Sequence, residues 1–391
     1  MGFQALLARE DYYGVLKKTL QLYYQEKYGK DVYIGYEKRK GTKEMVMNPK
    51  LGMIYAPFPC KQIRAYIYKM YNIRNNLLKN VAAEFFVFLS THSKSLFTLP
   101  RRLYIYPADL VNDSTIFSYL NRSIRIFDFK NNITVSIKKE SFTSKFFDNQ
   151  LEFRLNYLFE FVPKILHYRR NWFEEYILEG HSLARETDRL AYEEGQRTAL
   201  RQMEVIQQAT LQQVDAVGYL RSLVEQSRTL LEKAQRTKSI TTYAATVEYI
   251  NTLLSQLNIK GLQIPIAESH GDLQAGNVWL SKDRVWIIDW ETHALRSVWF
   301  DAMTIKFGTR YYGGIKDLVA NHQTEQDKMQ ILGAFETVLN IRQITRIFLL
   351  EDLLFNLEDM MELPSIGGCE SFDGYMNDII SSGVIRYLTT G

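Results

Sequence analysis

Two periodicities divide the chain. Between positions 123 and 138, β-branched and apolar residues come in two short runs, Ser123–Phe129 and Ile133–Lys138, separated by Lys130-Asn131-Asn132. Asn tolerates positive φ, so this spacing predicts a hairpin, with Ile133, Val135 and Ile137 on one face. Gln150–Glu160 then carries Leu151, Leu155, Leu158 and Phe159 at helical spacing, and a strand pair is expected at Lys164–Tyr168 and Trp172–Leu178, closing at Gly180.

From about Ser182 to Leu257 the pattern changes to threes and fours. This stretch is rich in Gln, Glu, Ala, Leu and Arg, contains no proline, and predicts two or three long helices. Its Gln-rich part, Arg201–Gln213, lacks sustained heptads, so bundle packing within the chain is expected rather than a coiled coil. The chain beyond position 300 also reads as mainly helical, with no internal repeat. At the other end, Ala5–Tyr28 has helical spacing, Asp31–Tyr36 and Met53–Ala56 read as short strands, and Cys60 to about Leu89 reads as helix. Pro100-Arg101-Arg102 marks an expected boundary.

Composition adds three constraints. Hydrophobic residues at 46%, with 25 Tyr and 22 Phe, exclude a disordered chain. The two cysteines, Cys60 and Cys369, form neither a metal spacing nor a disulfide framework and read as free thiols in a reducing compartment. The N-terminal residues do not resemble a signal peptide, and the longest apolar run, Val81–Leu89, is interrupted by Glu84. These features imply a soluble, cytoplasmic protein without a transmembrane segment. Charge is uneven: over residues 1–110 Lys and Arg exceed Asp and Glu by about ten, although the whole chain carries only +4. Peripheral contact with an anionic partner through this basic region is one reading of that excess. No specific nucleic-acid partner is expected.

The chemistry lies in Ser269-His270-Gly271-Asp272-Leu273-Gln274-Ala275-Gly276-Asn277, followed by the apolar strand Val285–Ile288 and Asp289. A polar loop offers an Asp and, five residues on, an Asn. A strand then delivers a second Asp at its end. Carboxylate and amide oxygens in this layout suit a hard cation such as Mg²⁺, which also binds phosphates. Phosphoryl transfer uses one carboxylate to accept the nucleophile's proton, with Asn and the second Asp holding metal.

His270-Gly271-Asp272-Leu273 with Asn277, then Ile288-Asp289-Trp290-Glu291, resembles the signature of the aminoglycoside-phosphotransferase and choline-kinase group. The resemblance runs from about Leu103 to the C-terminus and is strong over about 25 residues. It implies an α+β, bilobal protein-kinase-like fold, with a small antiparallel-sheet N-lobe at 101–180 and a mainly helical C-lobe at 181–391. A basic α+β accessory region at 1–100 would precede them. By resemblance, Asp272 is the catalytic base, Asn277 and Asp289 are metal ligands, and His270 holds the loop by hydrogen bonds. The cofactors implied are ATP and Mg²⁺, with GTP left open by the side chains.

Upstream, Val135-Ser136-Ile137-Lys138 resembles the strand whose lysine neutralises nucleotide phosphates. Strand alternation turns Lys139 to the opposite face, so Lys138 is the expected residue, paired with Glu152 or, failing that, Glu160. Asn121-Arg122 resembles the end of the phosphate loop, and backbone groups around Tyr176–Ile177 the adenine-binding linker. Two departures stand out. Ser114–Arg122 has no glycine, and the usual Gly-Asp-Pro segment is replaced by Arg296–Asp301, with Asp301 expected to anchor the following helix. Eight acidic residues lie in Glu351–Asp378, which contains no Lys or Arg, and suggest a wall for a cationic acceptor. The expected activity is phosphorylation of a hydroxyl on an amino sugar, sugar or amino alcohol. The alternatives are a non-catalytic nucleotide-binding scaffold and a protein or peptide kinase.

Overall fold

The computed structural model describes residues 10–29, 31–71, 77–92, 97–238, 240–255, 257–311, 313–321, 329, 331–362 and 366–389. The first residues of the expected N-terminal helix, 5–9, lie outside the described residues. The chain divides into two compact units, Met1–Asp148 with Pro163–Glu179, and Asn149–Val162 with Gly180–Gly391.

The first unit is built on one antiparallel sheet. Its strands are β1 (Tyr33–Gly35), β2 (Lys43–Asn48), β3 (Met53–Tyr55), β4 (Arg102–Tyr106), β5 (Thr115–Tyr119), β6 (Ser123–Asp128), β7 (Ile133–Lys138), β8 (His167–Arg169) and β9 (Trp172–Tyr176). They lie in the order β1-β4-β2-β3-β5-β6-β7-β9-β8. The β6–β7 hairpin turns at Asn132, whose φ of 55° is the positive value its sequence predicted. Asp128 Oδ1 accepts from the Lys130 and Asn131 amides and fixes the turn.

Alternation along the strands gives the sheet two covered faces. Helix α1 (Tyr12–Tyr28) starts at Asp11, which accepts from the Gly14 amide, and ends at Gly29 in the left-handed region. It buries Tyr12, Leu16, Leu20 and Tyr23 against Ile124, Ile126, Val135 and Ile137. Each fully buried leucine contributes about 1.5–3 kcal/mol. Helices α2 (Lys61–Tyr71) and α3 (Leu77–His92) cover the other face, where Ile63, Ile67 and Val87 meet Val46, Met53, Tyr55 and Ile116.

The expected boundary at Pro100 is corrected by this sheet. β4 lies between β1 and β2, and β3 pairs with β5, so strands from the first hundred residues share one ladder with those that follow. The basic N-terminal region is an extension of the sheet, not a separate accessory domain. β2 escaped the sequence reading because Lys43-Glu44 opens it without an apolar signal.

Helix α4 (Lys145–Asn156) leads into the second unit. There α5 (Arg189–Thr210), α6 (Ala216–Lys238) and α7 (Tyr243–Leu254) are the long helices that the threes-and-fours pattern predicts. The glutamines of α5 cap strand ends and loops: Gln202 and Gln207 donate to the carbonyls of Val285 and Val298. Helices α8 (Phe300–Phe307), α9 (Gly314–Asn321), α10 (Ile341–Glu362), α11 (Ile366–Ser381) and α12 (Val384–Thr389) complete the chain. Leu220, Ile250, Phe300, Phe348 and Phe372 belong to the shared core of this bundle.

Two small antiparallel sheets sit among these helices. One joins β10 (His181–Ser182), β13 (Val278–Leu280) and β14 (Val285–Ile287); the other joins β11 (Gln212–Asp215), β12 (Gln263–Ser269) and β15 (Ala294–Ser297). Among the described residues, no helix is long and apolar enough to cross a membrane.

Part of the acidic stretch of α10 and α11 is taken up inside the fold. Glu351 and Asp352 are buried. Glu351 accepts from the Ser297 amide at 2.7 Å and the Ser297 hydroxyl at 2.6 Å, and burial pushes its carboxyl up to about 6. Asp373 accepts from the Thr241 and Thr242 hydroxyls, and Asp378 from the Gly313 amide. Glu351, Asp373 and Asp378 are therefore engaged in holding helices and loops together.

Candidate active site

Strand β12 ends at Ser269 and delivers the loop His270–Asn277. His270 is fully buried. Its Nδ1 accepts from the Asp272 amide at 3.2 Å, so the ring proton sits on Nε2 and is donated to the Ile288 carbonyl at 2.8 Å. One imidazole thus ties the His270–Asn277 loop to the end of the strand that carries Asp289. The Trp290 ring packs on His270 at 4.7 Å and stacks on Phe153 at 4.0 Å.

Gly271 has φ +83°, and a Cβ there would lie 2.3 Å from the Thr292 carbonyl oxygen. Only glycine fits. Asp301, fully buried at the start of α8, holds this backbone: its two carboxylate oxygens accept from the His270 amide at 2.8 Å and the Gly271 amide at 3.0 Å. Asp301 therefore anchors the His270–Asn277 loop as well as standing in the first turn of its own helix.

Asp272 projects from the loop with its side chain 24% exposed. Gln274 and Asn277 donate to its Oδ2 at 2.9 and 3.0 Å, and Arg310 lies 3.3 Å from Oδ1. Burial pushes the carboxyl above the ordinary carboxylate range; Arg310, His270 and the Gln274 hydrogen bond pull it back, and Asp289 pushes it up again. The Arg310 guanidinium also donates to the Gly271 carbonyl at 2.8 Å, pairs with buried Asp352, and stacks on Phe355 at 3.8 Å. Arg310 and Gln274 were given no role by the sequence reading, which placed Asp352 in the acidic wall for a cationic acceptor. Arg310 follows α8 in a turn with no motif of its own. Asp352, however, sits with Glu351 between Ile347–Leu350 and Leu353, an acidic pair inside an apolar run that signals burial.

Asn277 and Asp289 are brought together by the β13–β14 ladder, in which Val278 opposes Ile287 and the Ile288 amide donates to the Asn277 carbonyl at 3.0 Å. The Asn277 amide nitrogen donates to the Asp272 carbonyl and carboxylate, at 2.8 and 3.0 Å. Asp289 has φ 70° and ψ 58°, a strained left-handed conformation for a residue other than glycine. Among the described residues, neither Asn277 Oδ1 nor the Asp289 carboxylate accepts a hydrogen bond. Two oxygen donors of this kind fit Mg²⁺, which takes few protein ligands and fills its octahedron with water and phosphate. No cluster of three or more His, Cys, Asp or Glu side chains arranged for a metal occurs among the described residues.

The nucleotide-side residues fall differently from expectation. Lys138 is half-buried and donates to the Phe142 carbonyl at 3.3 Å. Lys139, on the opposite face, is the fully buried lysine: Nζ meets Glu10 Oε1 and the Asn121 carbonyl, both at 2.8 Å, and lies 3.6 Å from the Tyr119 ring. Glu152 and Glu160 are exposed, and the buried glutamate–lysine pair of this region is Glu10–Lys139. Asn121-Arg122 forms a tight turn closed by the Leu120 amide on the Ser123 carbonyl, with the Arg122 guanidinium 4.0 Å from the Phe146 ring. Tyr176 is exposed at the end of β9, and the Ile177 amide is engaged by the Asn132 carbonyl.

No protein-family model matches this sequence, and no curated protein matches it either. Solved structures do match. Ethanolamine kinase from Plasmodium vivax is 13% identical, with a TM-score of 0.52 over 84% of this chain and 96% of that one. A thermostable mutant of the aminoglycoside phosphotransferase APH(4)-Ia, in ternary complex with AMP-PNP and hygromycin B, is 10% identical, with a TM-score of 0.50 over 71% of this chain and 95% of that one. The fold is therefore α+β and protein-kinase-like, of the kind found in this ethanolamine kinase and this aminoglycoside phosphotransferase.

Removing the Asp301 carboxylate leaves the buried His270 amide without its acceptor and the Gly271 amide with only the Ser269 hydroxyl, 3.1 Å away. Asp301→Ala is expected to lower unfolding stability by about 2–5 kcal/mol, measured by urea denaturation. A loss below about 0.5 kcal/mol is the size of an ordinary surface substitution and contradicts the clamp.

Proposed function

We propose that the chain transfers the γ-phosphoryl group of ATP, with Mg²⁺, to a hydroxyl of a small molecule, an amino alcohol, amino sugar or sugar. The observation that carries this reading is the Asp272–Asn277–Asp289 set: a partly exposed carboxylate held in place beside two side-chain oxygens that accept no hydrogen bond among the described residues. The protein-kinase-like fold supports it. The first neighbour is named for ethanolamine, and the second is complexed with hygromycin B. Both names point to an alcohol acceptor, and ethanolamine also carries an amine.

Asp272 takes the proton of the acceptor hydroxyl as its oxygen bonds to the γ-phosphorus, and the bond from that phosphorus to the bridging oxygen of ADP breaks. Asn277 orients Asp272 through its amide nitrogen and presents Oδ1 to the metal beside Asp289. Mg²⁺ supplies charge neutralisation on the phosphates. Gln274 and Arg310 keep Asp272 in one rotamer, which limits the freedom lost on reaching the transition state.

A non-catalytic nucleotide-binding scaffold is the second reading. The glycine-free turn at Leu120–Ser123 favours it, because the Asn121 carbonyl there is already engaged by Lys139.

Asp272→Asn is expected to reduce nucleotide consumption by roughly 10²- to 10⁴-fold while keeping Mg²⁺–nucleotide binding, assayed against amino alcohols, amino sugars and sugars. Undiminished turnover in that variant, or no thermal shift of the native protein with ATP and Mg²⁺, defeats the proposal.

The pH profile follows from the same charges. A base must be ionised, so activity rises with pH through the Asp272 pKa, which burial holds high and Arg310 pulls down. Arg310→Gln removes that opposing charge and is expected to move the acidic limb of kcat to higher pH. A limb that stays in place, or moves to lower pH, shows that Arg310 does not act on the base.

A further inference from the structure

Helices α2 and α3 turn Ile63, Ile67 and Val87 toward the sheet of the first unit and leave their outer sides to solvent. The outer side of α3 is not polar. Val81, Phe85 and Phe88 recur at i, i+4 and i+7, which sets them within about 60° of one another around the helix. They are 57%, 62% and 55% exposed. Buried Val87, Ser90 and Thr91 occupy the opposite side. One helix thus shows apolar side chains on two faces, and packing on the sheet accounts for only one of them.

The outer side of α2 carries charge. Lys61 and Lys69 are exposed and Arg64 is half-buried, and among the described residues no carboxylate pairs with any of the three. Contacts between the helices set these cations beside the apolar stripe. Arg64 Nη1 can only donate, so it donates to His92 Nε2 at 3.0 Å, and the same ring donates from Nδ1 to the Phe88 carbonyl at 3.1 Å. The His92 ring also stacks on Phe88 at 4.3 Å, and the Tyr68 hydroxyl meets the Glu84 carboxylate. Residues 60–96 hold six Lys and Arg and a single acid, Glu84. The stripe therefore lies in a strongly cationic setting.

Charge decides what can cover it. A second copy docking through the same face sets Lys61, Arg64 and Lys69 against their own counterparts, which repel. The centres of protein–protein interfaces are depleted of lysine. A bilayer surface with anionic headgroups satisfies both halves at once. Apolar side chains enter the acyl boundary, while lysine stems run along them and leave their ammonium groups among the phosphates. Helix α3 has 16 residues, a length of about 24 Å against about 30 Å of hydrocarbon, so it suits lying along the interface rather than spanning it.

We propose that the α2–α3 face docks on an anionic phospholipid bilayer, with Val81, Phe85 and Phe88 inserted and Lys61, Arg64 and Lys69 on the headgroups. This concerns the first unit alone and does not depend on the phosphotransferase reading.

The test is sedimentation of the full chain with vesicles of phosphatidylcholine, with and without phosphatidylserine, at low and high salt. The native protein is expected to bind the phosphatidylserine vesicles roughly tenfold or more tightly than the neutral ones, with the difference shrinking as salt rises. The double variant Phe85→Ser, Phe88→Ser should bind roughly tenfold or more weakly, and Phe85→Leu should keep most of the affinity. Lys61→Gln with Lys69→Gln should weaken binding roughly tenfold and flatten the salt dependence. All of these side chains are exposed, so melting temperatures should stay at the native value. A native protein that does not bind the phosphatidylserine vesicles overturns the proposal. Binding lost in the lysine variant but unchanged in the phenylalanine variant reduces the contact to charge attraction and overturns the insertion. Self-association in sedimentation velocity that the phenylalanine variant abolishes, without vesicle binding, overturns the proposal in favour of a second copy.

Discussion

The carboxylate of Asp301 has no contact with solvent, and its two oxygens are spent on two consecutive amides, those of His270 and Gly271. Everything chemical in the second unit hangs from that clamp. It holds Gly271 at a φ that other residues resist, so the chain can turn from β12 into the loop. The turn presents His270 to the Ile288 carbonyl and Asp272 to Asn277, Gln274 and Arg310. Burying an ion is expensive, and Asp301 offsets this with two charge-assisted hydrogen bonds in a low-dielectric site. The geometry of the candidate site is thus assembled by backbone and buried charge.

The same logic explains what could be read from the sequence. The β6–β7 hairpin was legible because Asn132 must adopt positive φ, a local requirement. Helices α5 to α7 were legible because their apolar period exceeds any competing signal. Asp272, Asn277 and Asp289 were legible because a loop, a short strand pair and a left-handed turn lie within 18 residues. Arg310 was not: it reaches Gly271 across 39 positions from a turn without pattern. Nor was the insertion of β4 between β1 and β2, since strand order is decided by packing of distant segments rather than by local composition.

Lys138 and Lys139 show where period and context part. Alternation correctly separates the two side chains onto opposite faces. It cannot say which face holds a glutamate, and the one that does receives Glu10 from 129 positions upstream. The basic excess of the first hundred residues takes a similar place. Its strands share one sheet with the β6–β7 hairpin, and α1 supplies Lys27 and Lys18 to carboxylates of that region. The acids of α10 and α11 likewise serve architecture: Glu351 holds Ser297, and Asp352 holds Arg310 in place beside Asp272.

Asn277 and Asp289 are proposed to hold a metal on a nucleotide. Titration of Mn²⁺ in the presence of ATP, followed by electron paramagnetic resonance, tests it without requiring the acceptor. A nucleotide-dependent Mn²⁺ site is expected in the native protein, retained in Asp272→Asn and weakened roughly tenfold or more in Asp289→Ala. Equal Mn²⁺ affinity in the native protein and in Asp289→Ala contradicts metal binding at this position.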